Sequence, residues 1–171
     1  MITIDSQVWI YYWDSNTPEH ENVKAWMNGT EKDGVLFREE IFLSSIIPIE
    51  VGHNLYRTAD SRKDLEKKTV QEILLALISA ENCQVIEIDE LLLIDVIQKM
   101  RNYSQLGIGG RDTLILSTMD RIKINTIATH DKNILNLKKY KRIDPVFKKP
   151  LILEINEEFD EEEFKEQQDA F

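Results

Sequence analysis

Short β-leaning apolar runs alternate with helix-period stretches along nearly the whole chain, and this alternation constrains the fold more than any other feature. Ile2-Thr3-Ile4, residues 41–45, Val85-Ile86-Glu87-Ile88 and residues 124–129 are short, branched and bounded by polar residues, as strands are. Val8 to Trp13 follows the first of them as a short buried helix. Thr17-Pro18 opens a second helix, which stops at Asn28-Gly29. Pro48 opens another, and Asp60-Ser61 caps the next. There Val70, Ile73, Leu74, Leu77 and Ile78 keep the i, i+3, i+4, i+7, i+8 spacing of one buried face. Leu93, Val96, Ile97, Met100 and Tyr103 mark a further helix, while Asp112 and Asp131 each open one. Leu151-Ile152-Leu153 adds an edge strand. Strands alternating with helices predict an α/β fold with a mainly parallel sheet. In such sheets the functional crevice lies beyond the carboxyl ends of the strands.

Length and charge narrow the class. The 171 residues suit one domain with a sizeable core. A single cysteine, Cys83, excludes an internal disulfide and points to a reducing compartment. No apolar run is long enough to span a bilayer, and Met1 leads straight into a strand, so a cytoplasmic protein without a signal peptide is expected. The net charge of −10 is unevenly placed: residues 154–171 hold nine acids and one base, leaving 22 acids against 20 bases in residues 1–153. The expected organisation is a domain over 1–153 and a flexible acidic tail over 154–171.

Four acids follow strands. Asp5 ends the first, Glu50 lies in the helical turn after the second, Asp112 opens a helix behind a glycine loop, and Asp131 follows the fourth. Taken singly, each has a plain reading: Asp caps helices, and a helix Glu is usually solvated. Taken together, four carboxylates at equivalent ends of one sheet would converge, repel and need compensation. Hard divalent cations such as Mg²⁺ or Mn²⁺ supply it through oxygen ligands. Zinc is disfavoured, because one cysteine and the scattered His20, His53 and His130 make no closed ligand set. A carboxylate-held metal suits phosphodiester hydrolysis. The third ligand depends on register, and Glu39, Glu40 or Asp120 are alternatives. A phosphatase with Asp5 as nucleophile needs a second Asp two residues on, where this chain has Gln7.

The segments around these acids resemble the PIN-domain family of metal-dependent ribonucleases. Ile4-Asp5-Ser6-Gln7-Val8-Trp9-Ile10 is similar to its opening acid motif, and Ile46-Ile47-Pro48-Ile49-Glu50-Val51 to its second acid segment. Gly110-Arg111-Asp112-Thr113-Leu114-Ile115-Leu116 resembles the third, and Ile127-Ala128-Thr129-His130-Asp131 the closing strand. The resemblance covers residues 1–140 and implies a three-layer α/β/α fold with a mainly parallel sheet of four to five strands. It implies Mg²⁺- or Mn²⁺-dependent cleavage of RNA, with Asp5, Glu50, Asp112 and Asp131 as catalytic metal ligands. Ser6 and Thr129 would orient them through their hydroxyls. It also implies the toxin of a toxin–antitoxin pair, with a small antitoxin partner and a homodimer. A catalytically weak PIN-like interaction module in RNA processing or regulation is the alternative. The chain departs from the family at Leu116, Ser117 and Thr118, where small residues are usual, and at Ile134, where an aromatic is common.

Other features read two ways. Arg57 and Arg111 would meet substrate phosphate or form surface ion pairs. Lys138, Lys139, Lys141, Arg142, Lys148 and Lys149 would hold an RNA backbone or line a solvated loop. His53 sits one turn after Glu50, as a substrate contact or a structural histidine. Trp9, Tyr12 and Trp13 suit a core better than base stacking.

Overall fold

Strand ends position every candidate residue, so the order of the strands decides where the acids meet. The computed structural model describes residues 1–62, 65–162 and 164. Along the chain come β1 (Thr3–Ile4), α1 (Ser6–Trp13), α2 (His20–Asn28), α3 (Val35–Arg38), β2 (Ile41–Ser44), α4 (Ile46–Ser61), α5 (Lys67–Ser79) and β3 (Cys83–Ile86). They are followed by α6 (Glu90–Tyr103), a 3₁₀ turn over Ser104–Leu106, α7 (Gly110–Ile122), β4 (Thr126–Ala128), α8 (Lys132–Leu135), β5 (Lys141–Asp144) and β6 (Leu151–Leu153).

One four-stranded sheet runs β1-β4-β5-β6, and a parallel pair joins β2 to β3. A parallel bridge between Ile2 and Ile41 connects the two. Ile2 N donates to Glu40 O, and Phe42 N to Ile2 O, both at 2.9 Å. The combined order is therefore β3-β2-β1-β4-β5-β6, with only β6 antiparallel to its neighbour. The chain leaves β1 towards β2 and β3, then returns past it to β4. Right-handed crossovers thus place the helices of the first half on one face and α6 and α7 on the other. The direction reverses between β1 and β4, and the crevice opens at that point.

The core locks these strand ends. Ile4, Leu43, Ile127 and Ala128 from the strands are fully buried, as are Val8, Val51, Leu55, Ile115, Leu116 and Met119 from the helices. Each such large side chain contributes roughly 1.5–3 kcal/mol of burial free energy. Trp9, Tyr12 and Trp13 belong to this interior: Trp9 is buried, and its ring stacks on Trp13 with centroids 5.0 Å apart.

Three stretches differ from the sequence-based expectation. First, Asp60-Ser61 does not cap a new helix. The Ser61 hydroxyl bonds back to Thr58 O, α4 runs through to Ser61, and α5 begins at Lys67.

Second, the basic stretch near residue 140 contains β5, a strand inside the sheet. Its alternation turns Arg142 and Asp144 inward, and both are fully buried. Buried charges need partners: Arg142 Nη2 donates to Glu154 O and Glu157 O, while Asp144 accepts from His130 Nδ1 and Val146 N.

Third, the opening of the acidic tail lies against the body. Glu154 pairs with Lys141 and Glu158 with Lys138, and Phe164 is buried. Glu163 and residues 165–171, the remainder of that tail, lie outside the described residues.

Candidate active site

Asp5 stands at the N-terminus of α1, yet its carboxylate makes no cap hydrogen bond there. Instead it is buried and held from two sides. Thr129 Oγ1 donates to Asp5 Oδ2 at 2.8 Å, and Ser6 Oγ lies 3.2 Å from Oδ1. Thr129 comes into place because β1 pairs with β4, which also aligns Asp5 N with Ala128 O at 2.9 Å. The Ser6 hydroxyl reaches on to Glu50 Oε2 at 2.9 Å, so α1 and α4 meet through it. Glu50 in turn faces Arg111 Nη1 at 2.5 Å, which ties α4 to α7.

Asp112 and Asp131 each double as a capping residue. Asp112 Oδ2 accepts from Gly109 N at 3.3 Å, and Asp131 Oδ1 accepts from Asn133 N at 2.7 Å. Asp131 N donates to Thr129 Oγ1 at 3.1 Å, so one hydroxyl touches the first and fourth acid segments. The loop before α7 is fixed to α8 by Asn133 Nδ2, which donates to Gly107 O at 3.2 Å. Gly107 has a φ of +75°, and a Cβ there would sit 3.2 Å from the Asn133 amide, so the close approach requires glycine.

Electrostatics shows how near the acids stand to one another. Burial pushes the Asp5 carboxyl up to about 6; the Asp112 charge adds to the rise, and the hydroxyls of Thr129 and Ser6 oppose it. Asp112 is also raised, first by burial and then by Asp131 and Glu50, with Arg111 opposing. All four acids are thus linked through Asp112, which feels Asp131 and Glu50 and is felt by Asp5. As the side chains lie, no three His, Cys, Asp or Glu residues among the described ones form a ready metal-binding group. Glu50 faces the Arg111 guanidinium instead.

The other candidates fall elsewhere. Glu39 takes the N-terminal ammonium at 2.6 Å, and Glu40 is exposed beside β2. Asp120 lies at the far end of α7, held by Lys99, Lys139 and the Tyr140 hydroxyl. Arg57 is exposed two turns beyond Glu50. His53 lines an apolar groove of about 750 Å³ between α4 and α5, with Pro48, Ile49, Leu74 and Ile78. Of the basic cluster, Lys138, Lys139 and Lys141 are paired with Glu158, Asp120 and Glu154, Arg142 is buried, and Lys148 and Lys149 are exposed. Sequence reasoning missed the His130–Asp144 couple behind Asp131, because its partner strand β5 does not read as a strand.

A parallel α/β sheet with acids gathered at its topological switch point defines a class, and the PIN domain model matches this chain over residues 2–140. The chain belongs to the PIN domain family. Among solved structures, VapC20 from Mycobacterium tuberculosis, described as a sarcin-ricin loop cleaving toxin, superposes with a TM-score of 0.63 at 12% identity, covering 79% of this chain and 94% of that one. VapBC2 from Rickettsia felis, bound to a DNA fragment from its promoter, gives 0.56 at 17% identity, covering 83% and 97%. FitAcB from Neisseria gonorrhoeae gives 0.56 at 20% identity, covering 85% and 98%. These likenesses are of fold. A comparison with curated protein sequences gives no match. Among the described residues, no helix is long and apolar enough to cross a membrane.

Proposed function

We propose that this protein is a metal-dependent endoribonuclease that acts as the toxin of a toxin–antitoxin pair. The observation that carries the reading is the buried Asp5, fixed by Thr129 and Ser6 and electrostatically linked through Asp112 to Glu50 and Asp131. The donor set is oxygen only, and the Asp5 carboxyl is raised by burial and by the neighbouring Asp112 charge. Both features fit a hard divalent cation such as Mg²⁺ or Mn²⁺. Asp5, Asp112 and Asp131 would hold it, with Glu50 joining once released from Arg111. Bound there, the ion would supply a water of lowered pKa and offset the charge of a phosphodiester.

The chain's own residues do the rest. Thr129 and Ser6 present the Asp5 oxygens in one orientation. The buried walls from Ile4, Ile127 and Ala128 keep bulk water from behind it. Arg111, largely exposed at the crevice rim, would meet the substrate phosphate. A small antitoxin and a homodimer complete the proposal, supported by the fold shared with the VapC20, VapBC2 and FitAcB structures.

Asp5→Asn and Asp112→Asn each abolish Mg²⁺-dependent cleavage of single-stranded RNA while circular dichroism stays unchanged. Cleavage retained by both folded variants overturns the assignment. One observation favours a catalytically weak interaction module instead: the Arg111–Glu50 pair fills the place of a metal-bound acid. That reading requires no Mn²⁺ binding by the intact protein in a calorimetric titration.

A further inference from the structure

Helix α6 is apolar on two opposite faces. One face serves the body: Leu92 and Val96 are buried with Leu114, and Ile46 packs against them. Asp89 caps the helix by accepting from Leu92 N at 2.8 Å, and Lys99 Nζ ties it to α7 by donating to Asp120 at 2.8 Å. The other face carries Leu91, Leu93, Ile94, Ile97 and Met100, all exposed, with Leu91 74% and Ile97 68% accessible. A Cβ on Gly110 would stand 3.4 Å from Met100 Cε, so the end of this face is fixed against the start of α7. A helix apolar all round belongs in an interior, and a contiguous apolar patch at a surface marks an interaction site.

The exposed face is complementary to itself. Glu90, Ile94, Ile97 and Arg101 recur at i, i+4, i+7 and i+11, which places them in one stripe about 60° wide, on the side away from Leu92 and Val96. Laid antiparallel against a second copy and centred between Ile94 and Ile97, the stripe sets Ile94 against the second copy's Ile97. The same register sets Leu91 against its Met100 and Glu90 against its Arg101. A parallel arrangement would instead oppose Glu90 to Glu90 and Arg101 to Arg101. The ion pairs within the chain run through Asp89, Asp95 and Lys99, while Glu90 and Arg101 stand exposed at the two ends of the stripe. Charge therefore selects an isologous, antiparallel contact.

We propose that two copies of this chain pair through α6, antiparallel about a twofold axis that passes between Ile94 and Ile97. The proposal gives a surface to the homodimer of the proposed function and rests on that part of it alone. One helix stripe is at the small end of specific interfaces, so the dimer is expected to dissociate in roughly the micromolar range.

Sedimentation equilibrium of the full-length protein in EDTA tests it. The parent dimerises, and Ile97→Glu is monomeric with unchanged circular dichroism. Glu90→Arg and Arg101→Glu each weaken the dimer at least about five-fold, because each creates two like-charge contacts across the axis. The double variant Glu90→Arg/Arg101→Glu restores it. Ile78→Glu, at the groove between α4 and α5, leaves dimerisation unchanged. A parent that stays monomeric up to about 200 μM overturns the proposal and assigns the stripe to a different protein. A dimer that survives Ile97→Glu overturns it by placing the contact elsewhere, although the homodimer itself stands. Charge variants without rescue overturn the antiparallel register, and they retain the apolar stripe even if Ile97→Glu fails to fold. Dimerisation in EDTA is scored whether or not RNA is cut, so loss of the ribonuclease reading would not be mistaken for loss of this one.

Discussion

Thr129 donates its hydroxyl proton to Asp5 at 2.8 Å while the same oxygen accepts from the backbone N–H of Asp131 at 3.1 Å. The residue is fully buried, so both bonds form in a desolvated setting. Thr129→Val keeps the shape and removes both. The expected result is a loss of roughly 10–100-fold in Mn²⁺ affinity, as for other residues that orient metal ligands. Stability falls by about 1–3 kcal/mol from the unsatisfied groups. Calorimetric Mn²⁺ titration and urea unfolding check the two effects separately, and unchanged Mn²⁺ affinity would reduce Thr129 to a packing residue.

Arg111 competes for the acid a cation would use. Its side chain is 72% exposed, so the pair with Glu50 adds at most about 1 kcal/mol to stability. A unit positive charge about 4 Å away in a water-like medium disfavours a cation by about 1 kcal/mol or more. Arg111→Gln therefore keeps the melting temperature and binds Mn²⁺ about five-fold more tightly. Weaker Mn²⁺ binding by this variant would show instead that the guanidinium supports the site.

Asp120 governs part of the acid limb of stability. Burial pushes its carboxyl up, but hydrogen bonds from Lys139, Lys99 and Tyr140 outweigh burial and hold it below the usual range. A depressed folded-state pKa stabilises the protein above the unfolded value of about 3.9 and loses that contribution as pH falls through the folded value. Asp120→Asn is expected to cost about 1–3 kcal/mol at neutral pH, with the difference from the parent closing below about pH 4. Urea midpoints across pH measure it, and a constant difference down to pH 3 would contradict it.

Arg142 is buried, and among the described residues its Nε and Nη1 have no hydrogen-bond partner, while burial lowers its pKa. Replacing a buried, half-satisfied charge by an apolar side chain of similar volume is often close to neutral. Arg142→Met is expected to stay within about 1 kcal/mol of the parent, whereas Arg142→Ala loses about 3 kcal/mol through the cavity it leaves. Equal losses in the two variants would mean that the bonds to Glu154 and Glu157, rather than volume, carry the stability.

The alternation of strands and helices was legible, and so were the positions of the four acids and of the two hydroxyls beside Asp5, because each depends on local sequence. A strand end needs only its apolar run, and Asp5 or Asp131 needs only to follow one. β5 was not legible: Lys-Arg-Ile-Asp has no apolar alternation, and its inward Arg142 and Asp144 make sense only once Glu154, Glu157 and His130 arrive from elsewhere. The end of α4 was misread because a Ser that can cap forward can equally bond backwards, as Ser61 does. Acid-rich composition likewise concealed the burial of Phe164, since one aromatic with a waiting cluster outweighs the charge around it.

The pairing of β1 with β4 joins residues 124 positions apart at the heart of the crevice. During synthesis, Asp5 emerges early and Thr129 only 124 residues later. A nascent or prematurely ended chain that stops before Thr126 carries three of the four acids but lacks the strand and hydroxyl that seat Asp5. Under the proposed function, activity is thereby deferred until β4 has left the ribosome, an inherent delay that no partner has to impose.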